Sequence, residues 1–218
     1  MKEHKRELTA CGLWLAAFIL FTAAVKLIDV RAIGPEGSEV GFAAINGLFA
    51  KWFTYNPGWY GATNFLGTLA ILLGFGFAAL GVYQLVTRRA LKRVDSDLFV
   101  LGSFYVLMGI VYVLFEKVVV NYRPVLLEEG LEASYPSSHT VLSVFVFLSA
   151  FLQLRSRVKN ELVRTFVCAA CLALAAATVI GRVISGAHWI SDITGGLLLS
   201  AAMVCGYCTA VAIVKDKE

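Results

Sequence analysis

Charged residues fence the chain into six charge-free windows, at 8–25, 52–87, 98–115, 133–154, 165–181 and 193–214. A membrane-spanning helix needs about 20 largely apolar residues. Six such helices consume most of a 218-residue chain and leave no room for a separate soluble domain of ordinary size. Composition agrees: only 16% of residues are charged and mean hydropathy is +0.76, whereas a soluble domain carries about 25% charged residues. A closed barrel would show alternating segments of roughly ten residues, and none is present. The expected fold is therefore all-α: a polytopic six-transmembrane-helix bundle forming a single membrane-embedded domain over residues 1–218. Pro57-Gly58 and the polar stretch Asn56 to Asn64 interrupt the start of the second window, which places that helix from about Ala62 to Thr87. The fifth window is short, so its helix must extend back into Glu161 to Arg164.

Orientation follows from the placement of Lys and Arg, which concentrate on cytoplasmic loops. Residues 1–7, 88–97, 155–164 and 215–218 carry three, four, four and two of them, 13 of the 19. Lys26, Arg31, Lys51, Lys117, Arg123 and Arg182 fall on the other face. Both termini are thus expected in the cytoplasm. The first span has a basic start like that of a signal peptide, but its long apolar run without a small-residue cleavage site reads as an uncleaved helix. Val40 to Trp59 mixes apolar and aromatic residues with Lys51 and reads as an interfacial element on the outer face.

Two patterns carry no chemistry. Cys168-x-x-Cys171 and Cys205-x-x-Cys208 resemble paired zinc ligands, but both lie in apolar helical runs without a flanking His or acid, where Cys acts as a small hydrophobe. Ala169, Ala173, Ala177 and Gly181, and likewise Gly196 and Ser200, recur at spacing four and read as close helix-packing faces.

The outer face holds the specific signal. One loop, between the third and fourth spans, runs from Lys117 through Asn121, Tyr122, Arg123 and Pro124 to Pro136, Ser137, Ser138 and His139. The other, between the fifth and sixth spans, runs Gly181-Arg182, then Ser185-Gly186, His188 and Asp192. Two intervening helices return the chain to the same side, so three cations, two histidines and a carboxylate can converge there. That set suits a phosphate: the planar fork of Arg makes paired, charge-assisted hydrogen bonds to its oxygens. Pro136-Ser137 opens the fourth helix, which leaves the N–H groups of Ser137, Ser138 and His139 available to an anion. His188 and Asp192 are four apart, so the carboxylate can reach one ring nitrogen and leave the other as nucleophile or base. Arg182 and His188 reach one ligand only if the helix breaks near Ser185-Gly186. Glu128, Glu129 and Glu132 read as a solvated loop face. These residues alone do not say which histidine attacks, although the carboxylate favours His188.

The three stretches resemble the signature motifs of the type 2 phosphatidic acid phosphatase superfamily, membrane lipid phosphatases related to vanadium haloperoxidases. The third motif, Ser-Arg, five residues, His, three residues, Asp, is matched at Arg182, His188 and Asp192, with Gly181 in place of Ser. The second, Pro-Ser-Gly-His, stands as Pro136-Ser137-Ser138-His139. The first is Lys, six residues, Arg-Pro, but only five residues separate Lys117 from Arg123, and Glu116 occupies the strictly spaced position.

The resemblance implies a hydrolase acting on a lipid phosphate or diphosphate (undecaprenyl diphosphate, phosphatidylglycerol phosphate or phosphatidic acid type). His188 would attack phosphorus, oriented by Asp192, while His139 protonates the leaving group and later activates water. Arg123, Arg182, Lys117, Ser137 and Ser138 would hold the phosphoryl oxygens. It implies no metal and no cofactor. Its partners are the lipid substrate and the bilayer, not nucleic acid, and its location is a bacterial plasma membrane with the site on the extracytoplasmic face. The alternatives are a lipid phosphotransferase using the same phosphohistidine and a non-enzymatic transporter.

Overall fold

The computed structural model describes residues 4–127 and 130–217. Its helices are α1 (Lys5–Leu27), α2 (Ala43–Trp52), α3 (Pro57–Arg88), α4 (Ser96–Lys117), α5 (Ser138–Arg157), α6 (Glu161–Ile184) and α7 (Ile190–Lys215). All except α2 are long and apolar enough to cross a membrane, which is the expected count of six. α6 begins at Glu161, so it does borrow the charged turn before its window. α3 begins five residues earlier than expected. Pro57 occupies its first turn, where a missing N–H costs nothing, and the Asn56 side chain accepts a hydrogen bond from the Trp59 N–H at 3.1 Å. The polar residues read as a break are therefore a helix start. α5 begins at Ser138, so Pro136 lies just outside the helix.

α5 is the central element, packed against α3, α6 and α7. Phe145, Phe147 and Ala150 on it are fully enclosed, and Met203 and Tyr207 of α7 cover them. α1 closes the bundle along α7, and His4 hydrogen-bonds Asp216 at 2.6 Å, so the two ends of the chain share one end of the bundle. At that same end Arg157 of α5 pairs with Asp95 and Asp97 at 2.5 Å each, tying α5 to the start of α4. Small residues mark close approaches elsewhere. A Cβ on Gly196 would stand 3.0 Å from Thr140, and one on Gly195 would stand 2.5 Å from the Tyr135 ring.

α2 lies within the expected outer element. Its Ile45, Leu48 and Trp52 are exposed, while Asn46 is fully buried against α7. It thereby buttresses the start of α7, at the opposite end of the bundle from the termini.

Candidate active site

α4 ends at Lys117, and the chain returns to α5 through a loop that pairs with itself. Tyr122 and Ala133 form an antiparallel bridge. The Arg123 N–H donates to the Glu132 carbonyl at 3.0 Å, and the Ser134 N–H to the Asn121 carbonyl at 2.9 Å. This holds Arg123 against the second outer loop, with Nη1 3.4 Å from the Ala187 carbonyl oxygen and 3.2 Å from His188 Nε2. A guanidinium only donates. His188 Nε2 must therefore accept, which leaves the proton of the neutral ring on Nδ1. Burial first, then the charges of Arg123 and Arg182, hold the His188 pKa well below the ordinary 6.5. The free imidazole is thus neutral at neutral pH, with its Nε2 lone pair turned towards a cation.

The second loop bends where the chemistry requires it. α6 stops at Ile184, and Gly186 adopts φ +60°. A Cβ there would also lie 2.5 Å from the Phe53 carbonyl oxygen, so both the dihedral and the space select glycine. The Ser185 carbonyl accepts the Asn56 N–H at 2.9 Å, which anchors this corner to the start of α3.

Asp192 departs from its expected contact. Its Oδ2 lies 3.8 Å from His188 Nδ1, beyond hydrogen-bond length, and Nδ1 has no hydrogen-bond partner among the described residues. The reason is local. His188 precedes the helix instead of lying on it, Trp189 is the N-cap, and Asp192 in the first turn folds back to accept the Trp189 N–H at 3.0 Å. The Ser134 hydroxyl at 2.6 Å and the Asn121 amide at 3.0 Å supply further donors. Asp192 therefore faces His188 as a nearby charge and clamps the two outer loops together. Asn46 extends the clamp, donating to Ser191 Oγ at 2.9 Å and accepting the Ser191 N–H at 3.1 Å. Motif spacing assigns no role to Asn46, Asn121 or Ser134; the one available signal is an amide, Asn121, two residues before Arg123.

Arg182 is 0% exposed. Its Nη2 donates to Asn64 Oδ1 at 2.8 Å, and its guanidinium stacks over the Tyr60 ring at 5.1 Å. Nε and Nη1 have no partner among the described residues. Leaving a buried donor unpaired costs about 1–3 kcal/mol, so two on one guanidinium mark a group that awaits an acceptor. Asn64 and Tyr60 come from α3, in the stretch that sequence alone reads as a helix interruption.

His139, in the first turn of α5, sits against Gly67 of α3, where a Cβ would lie 2.8 Å from its ring. Its Nδ1 is also unpartnered among the described residues. Of the three N–H groups expected to be available here, that of Ser137 is not. It donates to the Asp192 carbonyl at 3.0 Å because Ser137, the fully buried N-cap of α5, abuts the first turn of α7. Ser138 and His139 keep the first-turn amides that a helix leaves without partners.

Arg123, Ser138, His139 and His188 line one cavity of about 380 Å³, which continues between apolar side chains of α4 and α5 such as Met108 and Leu142. Lys117 is exposed in the last turn of α4 and is not among the residues lining it, whereas Glu116 is. One residue of offset turns a helical side chain by about 100°, which separates the two. Glu132 is not simply solvated: its Oε2 lies 2.8 Å from Arg123 Nε, without hydrogen-bond alignment. Glu128 and Glu129 lie outside the described residues.

The fold has a solved counterpart. A crystal structure described as the first transmembrane PAP2 type phosphatidylglycerolphosphate phosphatase from Bacillus subtilis aligns with a TM-score of 0.61, covering 95% of this chain and 96% of that chain at 17% identity. At that identity the likeness is one of fold. No curated protein matches the chain. The family model of the PAP2 superfamily matches residues 73–215, a range that contains both outer loops and every motif residue from Lys117 to Asp192. This chain belongs to the PAP2 superfamily.

Proposed function

We propose that this protein hydrolyses a lipid phosphate or diphosphate through a phosphohistidine at His188. The observation that carries this reading is the neutral His188, its Nε2 held 3.2 Å from the Arg123 guanidinium and within the field of a buried Arg182 that has two unpaired donors. A phosphoryl group placed there presents phosphorus to the Nε2 lone pair within the field of Arg182, which is not itself among the residues lining the cavity.

In the first step the Nε2–P bond forms and the bond from phosphorus to the leaving oxygen breaks. His139, in its protonated form, gives its proton to that oxygen. In the second step water attacks phosphorus, His139 takes a proton from the water, and the N–P bond breaks to release phosphate and neutral His188. Charge gathering on the equatorial oxygens is met by Arg123, Arg182 and the first-turn amides of Ser138 and His139. The Ser134, Asn121 and Trp189 contacts hold Asp192 fixed beside the imidazole, so the cationic ring formed during the reaction meets a positioned negative charge. Two guanidiniums beside His188 repel a divalent cation, so the reaction is expected to run without added metal.

The test is phosphate release from lipid phosphates by purified protein in detergent. Undiminished turnover in chelator and inhibition by orthovanadate, which adopts the five-coordinate geometry of phosphoryl transfer, are expected. Loss of activity in chelator that a divalent ion restores would overturn the histidine mechanism.

The charge count supports a site on the extracytoplasmic face, with the shared end of the termini in the cytoplasm. A cysteine introduced at Lys51, in a chain whose own five cysteines are replaced, is expected to react with an impermeant thiol reagent in intact cells. Labelling only after lysis would reverse the orientation.

A further inference from the structure

The inward-facing arginines of this chain differ in what balances their charge. Arg157, at the end of the bundle shared by the termini, is paired with Asp95 and Asp97 at 2.5 Å each. Arg123 lies 2.8 Å from the Glu132 carboxylate. Arg182 is the most deeply buried of the three, and a fully buried cation ordinarily has an opposite charge beside it. Among the described residues Arg182 has none. Its partners are an amide oxygen, Asn64 Oδ1 at 2.8 Å, and the face of the Tyr60 ring at 5.1 Å. Both fix the direction of the guanidinium and neither carries a net charge. The whole positive charge is thus left to act on its surroundings. It is felt at His188, whose pKa is held down by burial first and then by Arg123 and Arg182.

Tyr60 and Asn64 are four residues apart on one face of α3. They reach Arg182 because α3 lies hard against α6 one residue before it. A Cβ on Gly181 would stand 2.5 Å from Thr63 Cγ2, closer than two carbons can pack, and Gly181 stands where the third motif has serine. Glycine is unfavourable inside a helix, and the closeness of Thr63 is its physical reason here. Serine at this position would push α3 away and carry Asn64, the residue after Thr63, off Arg182.

We infer that Asn64 is a positioning residue for the phosphoryl site: its neutral amide fixes Arg182 without cancelling the charge that the substrate meets, and Gly181 provides the space that admits it. A carboxylate at position 64 would hold the guanidinium as firmly but neutralise its field. This rests on the phosphatase reading above.

The test compares Asn64→Asp with the native chain in detergent, by unfolding midpoint, kcat/KM and binding of orthovanadate. The carboxylate keeps the shape of the amide and pairs with Arg182, so the midpoint is expected to hold or rise. Over the same substitution kcat/KM is expected to fall at least tenfold and orthovanadate to bind at least tenfold more weakly. In Arg182→Met protein the same substitution should change kcat/KM less than twofold, because Asn64 acts through Arg182. A further tenfold loss in that background overturns the proposal. Gly181→Ser restores the motif residue, yet it should lower kcat/KM at least tenfold, and Thr63→Ser, which removes the methyl in its way, should recover most of that loss. Native kcat/KM in Gly181→Ser overturns the role of Gly181. Orthovanadate binding reads the site without turnover. Equal binding by the native chain and Asn64→Asp overturns the proposal even where phosphate release is found. Tenfold weaker binding by Asn64→Asp, with no phosphate release by the native chain, overturns the phosphatase reading alone.

Discussion

His188→Ala is expected to lower phosphate release by about four decades or more, equivalent to roughly 5–6 kcal/mol of transition-state stabilisation. Removing the nucleophile leaves only the electrostatic cradle, which by itself cannot split the displacement into two easier steps. The variant should fold normally, because the buried His188 makes no hydrogen bond at Nδ1, and loss of the Nε2 acceptor leaves Arg123 Nη1 its contact with the Ala187 carbonyl. The measurement has two arms: steady-state turnover, and alkaline quenching of a single turnover to trap phosphate on the protein. Native protein should show an acid-labile, base-stable phosphoryl adduct that the variant lacks. Turnover within tenfold of native, or an unchanged adduct, would remove His188 from the nucleophile's place and leave His139 as the remaining candidate.

Arg182→Met separates a binding role from a structural one. Among the described residues the fully buried native guanidinium is bonded only to Asn64 and stacked on Tyr60, with Nε and Nη1 unpaired. Methionine fills much of its volume and removes a buried charge that the resting protein does not fully satisfy, a change that is often neutral or stabilising. The unfolding midpoint in detergent is therefore expected to hold or rise. Activity is expected to fall by about two to three decades, the loss typical of one donor to a developing oxyanion, about 3–4 kcal/mol. Arg182→Lys should recover little, because a point charge cannot make the paired contacts of a planar fork. Parallel loss of stability and activity would show Arg182 to be structural. Within the same series, Arg123→Ala should cost at least tenfold more turnover than Lys117→Ala. The first cation touches His188, while the second is exposed at the end of α4.

Much of this protein is legible along the chain because its determinants are local. Six spans follow from where charges are absent, since the cost of burying a charge in hydrocarbon acts on each segment separately. The bend at Gly186 was required by the six-residue spacing of Arg182 and His188. Convergence of the two outer loops followed from counting helices, and family membership from three short motifs in order.

What only the tertiary structure decided lies where distant segments meet. Asn64 and Tyr60 are the partners of Arg182, yet they are more than a hundred residues away, on a helix whose start sequence reasoning placed at Ala62. Asp192 looked committed to His188 by spacing four, but Ser134, Asn121 and the Trp189 N–H together take its oxygens at 2.6, 3.0 and 3.0 Å and leave His188 Nδ1 at 3.8 Å. The Ser137 amide looked available until α7 placed the Asp192 carbonyl against it. Motif spacing pointed to Glu116 and residue type to Lys117, and the rotation of α4 about its own axis chose which faces the cavity. Hydrophobicity and backbone dihedrals act within a few residues and are written in the sequence. Which donor satisfies which acceptor depends on packing between helices, and a linear chain does not record it.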